Sequence, residues 1–101
     1  MVGGHAPDVA FTRKTPDGLC AVAAGLAWER GDNIVSFVNE FPANYYPWRS
    51  VPDRFGVELR LCREINGRLD LEELLSMIDG RTRLVAVSAV QYSSGFRLDL
   101  E

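Results

Sequence analysis

Lysine is nearly absent from this 101-residue sequence, which has one lysine, Lys14, and ten arginines. Fourteen acidic residues outnumber the eleven basic ones, and the formal net charge is −3. Proteins that bind nucleic acid or anionic membranes through electrostatics need clustered positive charge. We therefore expect neither nucleic acid nor a membrane surface as a partner.

Metal ligands and long apolar runs are also scarce. The two cysteines, Cys20 and Cys62, lie far apart without a CxxC motif, and His5 is the one histidine. A structural zinc site needs four clustered ligands, so no metal site is predicted. Both cysteines are predicted to be buried reduced thiols, which is typical of cytoplasmic proteins. The first residues show no signal-peptide pattern, and no apolar run approaches membrane-spanning length.

Two kinds of catalytic signal are missing as well. No nucleophile–base pair is visible, because the single histidine lies near the start without a plausible partner, and we predict no catalytic residue. No GxGxxG or GxxxxGK[ST] pattern is present either. A dinucleotide-binding or P-loop function therefore has no support in the sequence.

What the sequence does show is an alternation of strand and helix patterns. Strands are predicted near residues 8–12, 33–39, 57–62 and 83–90, and helices near residues 16–30 and 70–79. Strands separated by helices predict right-handed crossovers and a mostly parallel α/β sheet. The second helix is the clearest element, since Asp70 can cap it and a stripe of apolar residues follows at helical spacing.

Ligands of parallel sheets bind in loops outside the carboxyl ends of the strands. The first such loop, 12–17, leads into a helix N-terminus that could bind an anion, or Thr15 could simply cap the helix. The second, 40–48, holds four aromatic residues that could stack on a flat ring or pack a short helix onto the sheet or a partner. The third, 88–97, is rich in hydroxyl and amide groups, which could bind a ligand or satisfy a strand end.

Three segments, in this order, resemble class V aminotransferases and their cysteine-desulfurase-like relatives, which are fold-type I pyridoxal-phosphate (PLP) enzymes. They are FTRKTPDG at 11–18, NEFPAN at 39–44 and TRLVAVSAVQYSSG at 82–95. The stretch NGRLDLE at 66–72 is also similar, so the resemblance covers nearly the whole chain. It implies a three-layer α/β fold in which residues 1–101 form the N-terminal part of the PLP-binding large domain. It also implies that the second predicted strand lies between the third and the fourth, with the first strand apart.

The resemblance implies cofactor-binding roles for Thr15, Phe41, Gln91 and Tyr92. In the family the first loop holds the cofactor phosphate at a helix N-terminus, which favours an anion site at Thr15, although Pro16 replaces the family's usual threonine. An aromatic residue or histidine stacks on the pyridine ring, and Phe41 has that position. Tyr92 replaces an asparagine near the cofactor's phenolic oxygen, with Gln91 beside it. We expect Thr15, Phe41 and Tyr92 to converge at the carboxyl end of the sheet.

The resemblance also implies a whole enzyme that is a cytoplasmic homodimer and acts on an amino acid. Phenylalanine cannot transfer protons as histidine does in some relatives, so Phe41 favours an aminotransferase or epimerase-like enzyme over a typical desulfurase. The family's PLP-binding lysine lies on a strand beyond this sequence, whereas Lys14 falls in the phosphate loop. We therefore interpret the chain as a fragment that is inactive alone and binds PLP weakly or not at all. Two alternatives stay open: a small non-catalytic α/β module that binds an anion or a protein, and an unstable fragment without function.

Overall fold

Three parallel strands form the main sheet of the computed structural model, which describes residues 4–99. They are β1 (Asn33–Phe37), β2 (Glu58–Cys62) and, last in the chain, β5 (Thr82–Ala86). β1 lies in the middle and pairs in parallel with both neighbours. All five residues of β1 are buried, as expected for a central strand that is covered on both faces. β1, β2 and β5 correspond to the second, third and fourth predicted strands. The order β2-β1-β5 therefore confirms the prediction that the second strand lies between the third and the fourth.

Helices cover both faces of this sheet. In the described part of the chain they are α1 (Thr15–Gly25), α2 (Tyr46–Arg49), α3 (Val51–Phe55) and α4 (Leu71–Ser76), with 3-10 segments at Ala6–Asp8 and Pro42–Asn44. One apolar cluster packs α1, α2 and α3 around Ile34, and a second packs α4 around Val35 and Phe37. Successive residues of a strand point to opposite faces, so β1 contributes to both clusters. None of these helices is long and apolar enough to span a bilayer.

The boundaries of the two predicted helices differ from the prediction, and α1 ends at Gly25 instead of near residue 30. α1 begins at Thr15, with Lys14 in the N-cap position, so Thr15 is the first helical residue and not the cap. Pro16 lies in the first turn, where a helix does not need its missing N–H. α4 is shorter than predicted, but Asp70 does cap it, since one carboxylate oxygen accepts from the backbone N–H groups of Glu72 and Glu73.

One predicted strand is absent, and a short antiparallel hairpin departs from the mostly parallel arrangement that was predicted. Residues 8–12 form no strand: Ala6–Asp8 is a 3-10 segment, and the residues that follow are exposed, Phe11 completely. Within residues 4–99 no neighbouring strand pairs with this segment, so its exposed backbone has no partner with which to form a sheet ladder. In addition, the turn at Asn66 and Gly67 joins two short antiparallel strands, β3 (Glu64–Ile65) and β4 (Arg68–Leu69). Both turn residues have positive φ, as a tight hairpin turn requires.

The two cysteines differ in their surroundings. Cys62, at the end of β2, is completely buried, and burial is the main reason that the pKa of its thiol is raised to about 11. Cys20, on α1, is exposed. The prediction that both thiols are buried therefore holds for Cys62 and is wrong for Cys20.

A polar cluster joins the elements at the amino end of the sheet. Asp79 accepts hydrogen bonds from Arg60 Nη1 at 2.7 Å, from Asn33 Nδ2 at 2.9 Å and from the N–H of Arg81 at 2.8 Å. The Thr82 hydroxyl donates to Asn33 Oδ1 at 2.8 Å and accepts from the N–H of Asp79 at 2.9 Å. One carboxylate thus links β1, β2 and the start of β5.

The substitution Asp79→Asn tests the contribution of this carboxylate. The hydrogen bond from Arg60, followed by those from Arg81 and Asn33, lowers the pKa of Asp79 from 3.8 to about 2. Because the folded pKa lies below the unfolded one, the stabilisation is present above the unfolded value and is lost as the pH falls through the folded value. We expect Asp79→Asn to unfold at lower urea than wild type at neutral pH, followed by circular dichroism, and the difference to disappear near the folded pKa.

The exposed Asp53, which pairs with Arg49 at 3.8 Å on the protein surface, provides a matched control. Asp53→Asn should change the urea midpoint little at any of these pH values, because exposed ion pairs contribute little. A difference between Asp79→Asn and wild type that stays the same at neutral and acidic pH would contradict the role given to the carboxylate.

Candidate functional site

The loops that follow β1 and β5 meet at the carboxyl end of the sheet, where the carboxylate of Glu40 joins them. Glu40 Oε1 accepts from the N–H of Ser88 at 2.7 Å and from Gln91 Nε2 at 3.0 Å. Glu40 Oε2 accepts from Ser88 Oγ at 2.6 Å and from Asn44 Nδ2 at 3.1 Å. Four donors from two loops therefore converge on one side chain.

Glu40 is 4% exposed, so its charge has been removed from water. Within residues 4–99 no lysine or arginine forms an ion pair with it. Burying an ionised carboxylate without compensation is very costly, and hydrogen bonds to a charged acceptor are the strong ones. The four donors thus supply the compensation that a cation would otherwise give.

The network continues from this carboxylate into the core. Asn44 Oδ1 accepts from Trp48 Nε1 at 3.0 Å, and Trp48, on α2, is 2% exposed in the apolar cluster with Ile34. Trp48 therefore packs α2 onto the sheet, which was the alternative role considered for the aromatic residues of this loop. Tyr46 is exposed and has an edge-to-face contact with Tyr45, with ring centroids 5.5 Å apart.

Beside the buried network lies an exposed aromatic pair. Phe41 directly follows Glu40, and Tyr92 directly follows Gln91. Their ring centroids are 5.2 Å apart at an interplanar angle of 80°, an edge-to-face contact. Phe41 is 50% and Tyr92 62% exposed, so both rings present a surface to solvent at the carboxyl end of the sheet.

The N-terminus of α1 lies next to this loop. Pro16 lines an open, mainly apolar depression of about 520 Å³, and so do Pro42 and Ala43, which follow Phe41. Thr15 is exposed, and no side chain caps the helix at Lys14. Pro16 has no N–H, and the N–H of Asp17 donates to the carbonyl of Lys14 at 3.1 Å. Of the first three residues of α1, Thr15 therefore has the one backbone N–H that is left to interact with an anion.

Of the four predicted cofactor-binding residues, the structure brings Phe41 and Tyr92 into contact and places Thr15 at an exposed helix start. Gln91 differs, since it is 1% exposed and its amide N–H₂ donates to Glu40. Its Oε1 has no hydrogen-bond partner among the described residues. Direct contact of any of the four with a cofactor stays a prediction.

The sequence analysis missed Glu40 as a residue of this site. Glu40 follows a buried strand at its carboxyl end, and Ser88 follows the neighbouring strand in the same way. The polar residues after these two strand ends could have indicated a shared site. The hydrogen bonds between them, however, form only because the two strands are neighbours in the sheet. From the sequence, Ser88 is only part of a loop rich in hydroxyl and amide groups, and Gln91 has an implied cofactor-binding role instead of a bond to Glu40.

Residues 1–101 match the aminotransferase class-V family, and the chain therefore belongs to that family. A cysteine desulfurase from Enterobacter sp. (strain 638) is 37% identical in an alignment of 89 residues that covers 84% of this chain and 22% of that protein. The crystal structure of the cysteine desulfurase CsdA from Escherichia coli gives a TM-score of 0.79 at 30% identity, covering 88% of this chain and 23% of that one.

A third relative is C-DES, a cystine C–S lyase, with a TM-score of 0.73 at 27% identity over 85% of this chain and 23% of that one. One C-DES structure holds the reaction product cysteine persulfide, and a mutant holds glycine covalently linked to the PLP cofactor. These similarities confirm the family resemblance and the α/β fold that it implied. The chain spans less than a quarter of the length of each of these relatives.

The substitution Ser88→Ala tests the Glu40 network. It removes a short hydrogen bond to a buried charge, so we expect the free energy of unfolding to fall by about 1.5–3 kcal/mol, measured by urea denaturation. Glu40→Ala should cost more than Ser88→Ala, because it leaves several buried donors without an acceptor.

Ser76 offers a control of the same residue type. Its hydroxyl donates to the carbonyl of Glu73 on the exposed face of α4. Ser76→Ala should change the free energy of unfolding by no more than about 0.5 kcal/mol. If Ser76→Ala and Ser88→Ala lowered the free energy of unfolding equally, the hydrogen bond from the Ser88 hydroxyl to Glu40 would contribute no more than an exposed one.

Proposed function

We propose that this chain supplies the ring-facing and phosphate-facing wall of a PLP site, in the N-terminal part of the cofactor-binding domain of a class V enzyme. The whole enzyme would act on the amino group or the Cα–H of an amino acid. The observation that carries the proposal is the half-exposed pair of Phe41 and Tyr92 at the carboxyl end of a parallel sheet, beside an uncapped helix N-terminus. Membership of the aminotransferase class-V family supports it.

The residues present fit the two parts of the cofactor. PLP is a planar pyridine ring with a phosphate arm. Phe41 is half exposed, so its ring is accessible to a stacking partner, and the exposed Tyr92, which contacts Phe41, adds a hydroxyl group to the same surface. The N-terminus of α1 offers the backbone N–H and the hydroxyl of Thr15, its first residue, to a phosphate. Both loops lie at the strand ends where ligands of such sheets bind.

The reaction that we favour is amino-group transfer or epimerisation. When bound, PLP supplies the electron sink, and the protein supplies orientation and electrostatics. Phe41 can hold the ring by stacking, but it has no group that gains or loses a proton. A reaction that needs an imidazole at this position is therefore disfavoured.

A second candidate is sulfur chemistry on cysteine or cystine. It is favoured by the names of the relatives, which are cysteine desulfurases and a cystine C–S lyase. A cytoplasmic location and a homodimeric whole enzyme stay predictions in both cases. A small anion- or protein-binding module remains the non-enzymatic alternative.

The ligand pyridoxine 5′-phosphate tests the proposed site, because it keeps the ring and the phosphate but has no aldehyde. We expect weak binding to the chain, with a dissociation constant of about a millimolar, and NMR shift changes at Phe41, Tyr92 and the start of α1. Phe41→Ala should weaken binding severalfold, since aromatic stacking contributes about 1 kcal/mol. Leu75→Ala, which removes an exposed apolar side chain on α4, should bind as wild type does.

With PLP itself, we expect borohydride reduction and mass spectrometry to find no stoichiometric label at one site and assays to find no turnover. Lys14, the only lysine, is exposed beside Arg13 at the phosphate end of the proposed site. Stoichiometric labelling of Lys14 together with turnover would contradict the proposed inactivity. In the titration with pyridoxine 5′-phosphate, NMR shift changes that are scattered over the surface, or the absence of any, would contradict the proposed binding site.

A further inference from the structure

We propose that Glu40 is a positioning residue, which sets the geometry of the Phe41–Tyr92 pair through its hydrogen bond to Gln91. The inference rests on the proposed function in so far as the pair is the surface on which a flat ring lies. Glu40 itself is buried and touches no part of that surface. Its effect passes through its neighbours in the two loops.

Two parallel contacts join the loops at neighbouring positions. Glu40 and Phe41 are consecutive in one loop, and Gln91 and Tyr92 are consecutive in the other. The buried contact is the 3.0 Å hydrogen bond from Gln91 to Glu40, and the exposed contact is the edge-to-face pair of rings. A shift of one loop relative to the other would therefore change both contacts together.

Gln91 also controls the turn that carries Tyr92. The N–H of Gln91 donates to the carbonyl of Phe96, and the N–H of Gly95 donates to the carbonyl of Gln91, both at 2.9 Å. These bonds tie residues 91–96 into one turn. In the described part of the chain Glu40 is the only side chain that bonds the Gln91 amide. Loss of that bond would leave the turn without its side-chain anchor.

Only a carboxylate satisfies all four donors at position 40. A glutamine there would present one oxygen and one N–H₂ group. The Ser88 hydroxyl can rotate to accept from that N–H₂ group, but Asn44 Nδ2 is itself a donor. If Asn44 turned its amide round, it would lose the bond from Trp48 Nε1. Glu40→Gln is therefore not a conservative change at this site.

The orientation of Gln91 follows from the same charge. If its amide were reversed, Oε1 would face the carboxylate oxygen of Glu40 and be repelled. The carboxylate thus fixes which end of the amide points at Glu40, even though Oε1 then has no partner among residues 4–99. An unsatisfied buried acceptor costs free energy. Glu40 holds Gln91 in this arrangement in spite of that cost.

Two variants of the chain test the proposal by NMR. Gln91→Met keeps the length of the side chain but removes its bond to Glu40, and Glu40→Gln disrupts the acceptor itself. In wild type we expect nuclear Overhauser contacts between the rings of Phe41 and Tyr92, together with upfield ring-current shifts. Both variants should lose these contacts and bind pyridoxine 5′-phosphate as weakly as Phe41→Ala does.

Thr82→Val is the matched control, because it removes two side-chain hydrogen bonds at the opposite end of the sheet. It should lower stability and leave the ring contacts and the ligand affinity unchanged. Ring contacts that persist in Gln91→Met would overturn the proposal, even if Glu40→Gln fails to fold. Loss of the contacts in Thr82→Val as well would overturn it too, since general loosening would then explain the result.

The ring contacts and the ligand titration separate this inference from the proposed function. If the contacts depend on Glu40 and Gln91 but wild type binds no pyridoxine 5′-phosphate, the positioning role is supported and the PLP site is contradicted. If the ligand binds wild type and both variants equally well, the PLP site is supported and the positioning role is contradicted.

Discussion

The buried carboxylate of Glu40 is the interaction on which the carboxyl end of this sheet depends. A charge taken out of water must be compensated on the spot, and here backbone, hydroxyl and amide donors from two loops provide the compensation. Because those donors lie on separate segments, the charge can be satisfied only when the segments are correctly placed. The need of Glu40 for hydrogen-bond donors thus fixes the positions of both loops at the carboxyl end of the sheet.

The two ends of the sheet use charge differently. At the amino end, Asp79 pairs with Arg60 and remains partly exposed, so that solvent shares in its stabilisation. At the carboxyl end, Glu40 is buried among neutral donors, and solvent contributes almost nothing. The first arrangement holds strands together. The second fixes loop geometry beside exposed aromatic rings, which is where a ligand would need it.

The sequence predicted the central features of the fold because they rest on local patterns. The nearly continuous apolar run at residues 33–39 is typical of a strand that is buried on both faces, and Asp70 marked the start of α4. The prediction of a strand at residues 8–12 was wrong, because a strand also needs a neighbouring strand to pair with and a local pattern does not show whether one is present. The hairpin at Asn66 and Gly67 was not predicted, although an Asn-Gly pair favours hairpin turns.

The candidate site was predictable to a smaller extent. Phe41 and Tyr92 could be singled out because family resemblance marked their positions, and the structure adds that they touch each other. Glu40 could not be found in this way, since its partners Ser88 and Gln91 lie about fifty residues away in sequence. Their convergence depends on β1 and β5 being neighbours. Which polar residues pair across a sheet is a tertiary property that no local pattern contains.

Amide hydrogen exchange at Ser88 tests the central claim most directly. Ser88 lies beyond the end of β5, and its N–H donates to Glu40 Oε1 at 2.7 Å. We expect this amide to exchange as slowly as those of β1 in wild type, and to be much faster in Glu40→Gln while the amides of β1 remain slow. Exchange at Ser88 as fast as at the exposed Ser93 in wild type would contradict the claim that the buried carboxylate holds the two loops together.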